Sequence, residues 1–212
     1  MAVSAIIPAF NEEGRIGRVL EPLLRVPEVE EIIVVDDGSQ DKTAEAASRY
    51  GVKVIRLPEN RGKAVALDAG VRAAKNDVLL FLDGDLVGLR PEHIRRLLEV
   101  YFSGGADVVV GIFREGRVGT DFSMTIAPFL SGQRVLHRRI WERARKVLDE
   151  DTSFGAEIAL TKAALKEGWK HKFVPLEGVS HVRKEEKMGF KKGFKARLRM
   201  YLDILRTIFR RL

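Results

Sequence analysis

The residues that could do chemistry begin with Asp83-Gly84-Asp85, at the end of the stretch Asp77–Leu86, DVLLFLDGDL. Within it Val78–Leu82 is a short apolar run bounded by polar residues, and it reads as a buried strand. Two carboxylates one residue apart, just beyond such a strand, are costly unless something positive lies between them. Gly84 allows the backbone to turn tightly there. Carboxylate oxygens suit hard divalent cations such as Mg²⁺ and Mn²⁺, and Mg²⁺ is usually shared with substrate phosphates. An isolated DxD is more often a turn closed by Asp side chains on their own backbone. Its significance therefore rests on the loops upstream.

Those loops are placed by the elements around them. Val3–Ile7 reads as a β-branched strand closed by Pro8. Asn11 reads as the start of a helix, with Glu12 and Glu13 in the first turn, where the dipole favours acids. Glu31–Val35 is the next strand, running into Asp36-Asp37-Gly38-Ser39 and a helix from about Asp41. Val52–Arg56 is a third strand, Leu57–Gly62 a loop, Lys63–Ala74 a helix and Val78–Leu82 the fourth strand. A helix from Pro91 to about Tyr101 and a strand Asp107–Phe113 follow. Strands alternating with helices of this length predict a mostly parallel sheet of βαβ units. Such sheets bind ligands beyond the C-terminal ends of their strands. Pro8–Glu12, Asp36–Ser39 and Asp83–Asp85 all fall on that rim, and their convergence is what points to a site.

Beyond Phe113 the periodicity weakens. Arg114–Ser123 is polar and contains Gly, as a loop does. Ala127–Arg134 leads into a basic helix at about Val135–Val147, Asp151–Gly155 is a loop, Glu157–Gly168 a helix and Lys172–Leu176 a strand.

The chain of 212 residues is long enough for one sizeable domain. It has no cysteine, which excludes disulfides, thiolate ligands and a Cys nucleophile and fits a reducing compartment. No apolar run approaches the ~20 residues of a membrane-spanning helix, and the N-terminus opens like a strand, without a basic n-region. A cytoplasmic protein is expected. The net charge of +7 has an address. Residues 189–212 hold eight Lys/Arg against Asp203 alone, and removing them from totals of 37 and 30 leaves 29 basic and 29 acidic residues in 1–188. A neutral body gives nucleic-acid binding no electrostatic support.

IIPAFNEEGRI (6–16), IIVVDDGSQDKTAEAA (32–47), NRGKAVALDAGVRAA (60–74) and VLLFLDGDL (78–86) together resemble the family-2-type glycosyltransferases of GT-A fold, in order and spacing. The resemblance implies an α/β, Rossmann-like, mostly parallel sheet flanked by helices. Residues 1–113 would bind the nucleotide sugar, 114–188 the acceptor, and 189–212 would form a basic amphipathic C-terminal helix. Pro8, Ala9 and Glu12 would border base and ribose, with Asp36 or Asp37 bonding the base edge and Ser39, Gly62 and Gly84 completing the donor site. Lys63 would neutralise diphosphate oxygens as a point charge. Asp83 would face the ribose or sugar, or share with Asp85 a Mg²⁺ or Mn²⁺ ion.

The second half is similar, through FLSGQR, SFGAEIAL and VSHV, to polyprenyl-phosphate sugar transferases and to glucosyl-3-phosphoglycerate and mannosylglycerate synthases. That similarity implies His181 as a further metal ligand and Ser131, Gly132, Gln133 and Arg134 beside the acceptor. Inverting relatives carry an acidic pair whose second member is the base; here it is Ala156-Glu157, so Glu157 is a base, an acceptor anchor or a helix N-terminal acid.

The tail repeats Phe190, Phe194, Leu198, Tyr201, Leu202, Leu205, Phe209 and Leu212 at helical spacing between its basic residues. Such a helix packs either on the core or on an anionic bilayer, the second making the protein peripheral at the inner face of the membrane. The expected activity is metal-dependent transfer of a sugar from a UDP- or GDP-sugar to a phosphate-bearing acceptor, either polyprenyl phosphate or a small phosphorylated acid. The alternatives are a nucleotidyltransferase of similar fold, which should open with a Gly-rich basic loop that PAFNEEG lacks, and a silent nucleotide-sugar-binding module. Sugar, base, stereochemistry and oligomeric state, a homodimer included, stay open.

Overall fold

Val3–Ala9 forms the central strand β1, and all of its residues but Pro8 are buried. Val29–Asp36 (β2) and Val78–Phe81 (β4) pair with it in parallel on its two sides, with Ala9 opposite Asp36 and Ile6 opposite Phe81. Lys53–Arg56 (β3) continues the parallel order beyond β2. Helices α1 (Ile16–Leu23), α2 (Thr43–Ser48) and α3 (Lys63–Ala73) make the crossovers, and Leu86–Val87 (β5) and α4 (Pro91–Phe102) follow β4. Then come β6 (Val108–Arg114), β7 (Arg134–His137), α5 (Arg138–Arg145), α6 (Gly155–Glu167), β8 (His171–Glu177) and β9 (Ser180–His181). The seven-stranded sheet runs β3-β2-β1-β4-β7-β6-β8, and β5 and β9 form a separate two-stranded ribbon. The structure, a computed structural model, describes residues 2–114, 131–146 and 155–181. The C-terminal helix expected over 189–212 lies outside the described residues, as do most of the loop expected over 114–123 and the loop at 151–155 but for the backbone of its last residue, Gly155. Met1–Ser180 is one compact unit, and of the unit that starts at His181 only that residue's backbone is described.

Burial on both faces explains why β1 is almost wholly apolar, as parallel sheet interiors require. Val3, Ala5 and Ile7 pack with Ile16, Leu20 and Leu97 on one face. Ile6 packs on the other with Val35, Phe81 and Trp141. Fully burying each large side chain contributes about 1.5–3 kcal/mol. Pro8 does not end the strand as expected. Opposite it β4 has already stopped, since the β1–β4 register closes at Ile6–Phe81, so no ladder partner is lost to its missing N–H.

Two further expectations are corrected. The first helix starts at Ile16, not Asn11. Asn11 has a φ of +57° and begins a turn, with Arg15 and Ile16 N–H donating to the Glu12 carbonyl. Glu12 and Glu13 are therefore loop residues and not dipole acids. The segment read as a helix from Val135 begins instead as β7, an antiparallel strand inserted between β4 and β6. His137 turns it directly into α5, its Nδ1 accepting from Arg139 N–H at 3.2 Å. With no turn residue between strand and helix, the apolar spacing ran through both.

Candidate active site

The register brings the ends of β1, β2 and β4 to one rim, and the loops after β1 and β2 are stapled together there. Asn11 N–H donates to Ser39 Oγ at 2.9 Å, Gln40 N–H to Asn11 Oδ1 at 2.9 Å and Glu12 N–H to Thr43 Oγ1 at 2.8 Å. Asp37 N–H donates back to the Ala9 carbonyl at 2.8 Å. Glu12 is buried and its carboxylate holds Arg15.

Asp36, which ends β2, and Asp37, which follows it, are both buried. Asp36 is wholly buried; its Oδ1 accepts from Ser39 N–H at 2.9 Å, and its Oδ2 lies 3.4 Å from Arg56 Nε. Asp37 accepts from the N–H groups of Arg61 at 2.9 Å and Gly62 at 2.8 Å, which pins the loop entering α3. Burial raises the Asp37 carboxyl above its ordinary range, against the lowering effect of those two bonds. Gly38 sits where φ is +70° and where a Cβ would meet the Glu59 backbone at 2.4 Å, so β2's loop and the loop before α3 are in direct backbone contact.

Lys63, the first residue of α3, projects from that loop into a cluster. Its ammonium lies on Asp83 Oδ1 and 2.5 Å from Glu157 Oε1, carried by the first turn of α6. Burial pulls the Lys63 ammonium down, but Asp83 and Glu157 together outweigh it and hold the pKa above the usual lysine value. Asp83 Oδ2 accepts from Gln133 Nε2 at 2.8 Å. Arg134 lies beneath, 1% exposed, its Nε donating to the Ser131 carbonyl at 2.8 Å. Burial lowers the Arg134 guanidinium to about 10, while Glu157 and Asp83 act in the opposite sense, so it stays charged at neutral pH. The cluster thus holds two cations and two carboxylates.

Beside it is a cleft of about 290 Å³, lined by Pro8, Phe10, Asp37, Lys63, Gly84 and Asp85 among others. A larger concavity of about 350 Å³ lies between α1 and α2, where Arg18, Glu21 and Arg49 are exposed and Tyr50 donates to Glu21 at 3.2 Å. The sequence-predicted residues Pro8, Ala9, Glu12, Asp37, Gly62, Lys63, Asp83, Gly84 and Asp85 are brought to the smaller cleft. Ser131, Gln133 and Arg134, expected beside the acceptor, are buried and turned into the cluster. Two cleft residues were not singled out from sequence, Phe10 and Asn60. Phe10 is 40% exposed although aromatic, and its place between Ala9 and Asn11 was the available signal.

As for a metal, no three His, Asp or Glu side chains converge as a ligand set among the described residues. Both Asp83 oxygens are engaged, by Lys63 and Gln133, and Asp85, the other carboxylate of the DGD turn, lines the cleft. One carboxylate with substrate phosphates completing the shell is the usual manner of holding Mg²⁺, so the residues fit such an ion. The backbone of Ser180 in β9 runs beside β5, which follows Asp85; the side chain of His181 lies outside the described residues.

A mostly parallel sheet with a lysine, a DGD turn and a cleft at its C-terminal rim defines a glycosyltransferase of the GT-A fold. Within that class the chain belongs to glycosyl transferase family 2, whose model matches residues 4–158. It is 30% identical over 202 residues to an uncharacterized protein of Methanocaldococcus jannaschii, covering 84% of this chain and 81% of that protein. It is 35% identical over 105 residues to the 4,4'-diaponeurosporenoate glycosyltransferase of Staphylococcus aureus, 47% of this chain but 28% of that enzyme. In fold it is similar to glucosyl-3-phosphoglycerate synthase from Mycobacterium tuberculosis in complex with Mn²⁺ and UDP-glucose, with a TM-score of 0.79 and 24% identity, covering 97% of this chain and 78% of that one.

Proposed function

We propose that the chain transfers a sugar from a UDP- or GDP-sugar to a phosphate-bearing acceptor with the aid of Mg²⁺ or Mn²⁺. The observation that carries this is Lys63, held between Asp83 and Glu157 at the head of α3 and on the wall of the cleft. As the bond to the sugar breaks, negative charge builds on the diphosphate, and a fixed ammonium there stabilises the transition state more than the ground state. Phe10 offers an exposed ring for stacking on the base. Asp85, with His181 as the second ligand that the sequence resemblance implies, would hold the cation, which when bound neutralises diphosphate oxygens.

Glu157 meets the acceptor. A hydroxyl acceptor gives up its proton to Glu157, whereas an acceptor that attacks through an ionised phosphate needs no strong base. The mycobacterial synthase of similar fold has been solved with phosphoglyceric acid, which supports the phosphate-bearing class. The basic residues of 189–212 favour a lipid phosphate at an anionic membrane surface as the source of that phosphate.

The test is a screen of UDP- and GDP-sugars with each metal against polyprenyl phosphates and small phosphorylated acids. Metal-dependent donor consumption with a glycosylated phosphate product is expected, and Asp85→Ala should remove the metal dependence of nucleotide binding. Tight donor binding without turnover across the panel would make the chain a binding module. Pyrophosphate release from a nucleoside triphosphate and a sugar phosphate would make it a nucleotidyltransferase.

A further inference from the structure

We propose that Gln133 is a positioning residue, whose buried carboxamide fixes the Asp83 carboxylate so that its other oxygen stays on Lys63. The inference rests on the reading of Lys63 and Asp83 as the donor-side machinery. Gln133 is 0% exposed, so it presents nothing to an acceptor. The amide nitrogen faces Asp83, at 2.8 Å from Oδ2, while the Lys63 ammonium lies on the other oxygen. The amide oxygen then faces Ser131 Oγ at 2.8 Å, and that hydroxyl also lies against the Gly111 carbonyl. The Gln133 backbone carbonyl accepts from Gly111 N–H at 2.8 Å, which ties the residue to β6. The Asp83 contact sets the orientation of the amide, since the amide oxygen in that place would face another acceptor.

The neighbours serve the same pair. A Cβ on Gly132 would lie 2.5 Å from Lys63 Nζ and 2.7 Å from both Asp83 oxygens, so this segment presses directly on the ion pair. Arg134 supplies the second cation from below. Residues 131–134 therefore enclose Lys63 and Asp83 from the β7 side. Without the Gln133 donor, Oδ2 would lose that bond and Asp83 would turn further toward the ammonium, drawing Lys63 off Glu157.

Gln133→Glu and Gln133→Met test this. When protonated, the introduced acid can donate to Asp83 as the amide does; when ionised, it repels Asp83. The kcat of Gln133→Glu should therefore fall progressively between about pH 5 and pH 8, an effect absent from the parent. Gln133→Met should lose roughly 10- to 100-fold in kcat at every pH, the size expected for removing a bond to a charged group, with the donor KM changed far less. Thermal melting needs no substrate and separates this inference from the proposed function. The introduced acid has a folded-state pKa raised by Asp83, so its stability relative to the parent is greatest at low pH and is lost as pH rises through that value. A parent that turns over no nucleotide sugar overturns the function, while the melting series still decides on Gln133. If both variants keep parental kcat, or if Gln133→Glu melts at a constant offset from the parent at all pH values, the positioning role is overturned. It is also overturned if Gln133→Glu fails to fold at pH 5 while Gln133→Met folds.

Discussion

At the scale of single residues, the site is governed by charge balance around Lys63, whose side chain is 27% exposed. Replacing it by Met leaves Asp83 and Glu157 facing each other with only Arg134 in compensation. The expected cost at pH 8 is about 2 kcal/mol, less than the ~3–5 of breaking a wholly buried pair because water still reaches the cluster. One of the two carboxylates would then have its folded pKa raised above its unfolded value. Its penalty is absent below the unfolded pKa and grows as pH rises through the folded one, so Lys63→Met should recover stability relative to the parent on going from pH 8 to pH 5. Paired melting curves read this directly. Its kcat should fall far more than its donor KM rises, because the ammonium acts on charge that develops late. Gly132→Ala separates activity from folding. The atoms its Cβ would strike are the tips of two flexible side chains, so they can part and the fold survives at a cost of about 1 kcal/mol. Parting them dismantles the pair, and kcat should drop at least about tenfold. Parental kcat in Gly132→Ala would show that the ion pair is not needed for turnover. Lys63, Asp83 and Glu157 were each legible in the sequence as residues with a chemical role. Their meeting was not, because Lys63 and Glu157 are 94 positions apart and only the placing of α6 joins them. Nor does sequence report burial, so the enclosure of Gln133 and Arg134 in the cluster was not legible in it.

At the scale of elements, the rim is assembled by backbone contacts between loops as well as by the sheet. Gly38 and Gly51 both adopt left-handed backbone, with φ of +70° and +69°, yet their surroundings differ. A Cβ at Gly51 meets nothing within 4 Å, whereas one at Gly38 meets the Glu59 and Asn60 backbone at 2.4–2.7 Å. Gly51→Ala should therefore cost only the left-handed strain, about 1–2 kcal/mol. Gly38→Ala adds a clash with backbone that cannot rotate away, and should cost more than about 3 kcal/mol. Because Asp37 N–H and Asp37 Oδ tie that loop to Ala9 and to Gly62, the displacement should also weaken nucleotide binding, which Gly51→Ala leaves intact. Equal melting temperatures for the two variants would remove the loop contact from the account. The parallel half of the sheet could be read from sequence because each strand there is followed by a loop and a helix of its own period. β7 could not, since a four-residue strand that passes without a turn into RRIWERAR leaves no punctuation, and an antiparallel insertion has no periodicity of its own.

At the scale of the whole molecule, the charge distribution separates two tasks. Residues 1–188 carry equal numbers of basic and acidic groups, and their ion pairs, such as Arg143–Glu167 and Arg145–Asp68 on the basic helix α5, neutralise locally. The excess of +7 lies wholly in 189–212, as Lys191, Lys192, Lys195, Arg197 and Arg199 followed by Arg206, Arg210 and Arg211. No helix among the described residues is long and apolar enough to cross a membrane. Each Lys or Arg near an anionic leaflet contributes on the order of 1 kcal/mol, and seven net charges exceed what solubility of a neutral body requires. The protein should sediment with anionic vesicles and not with neutral ones. Salt at 1 M should release it, since the Debye length there is about 3 Å. Replacing Arg206, Arg210 and Arg211 by Gln should weaken sedimentation and leave the melting temperature within about 2 °C. If the parent ignores anionic vesicles even at low salt, the lipid source of the acceptor phosphate falls. A small phosphorylated acid then takes its place, with the basic tail serving the acceptor and not a membrane. In that case the same triple substitution should raise the acceptor KM while leaving the donor KM unchanged.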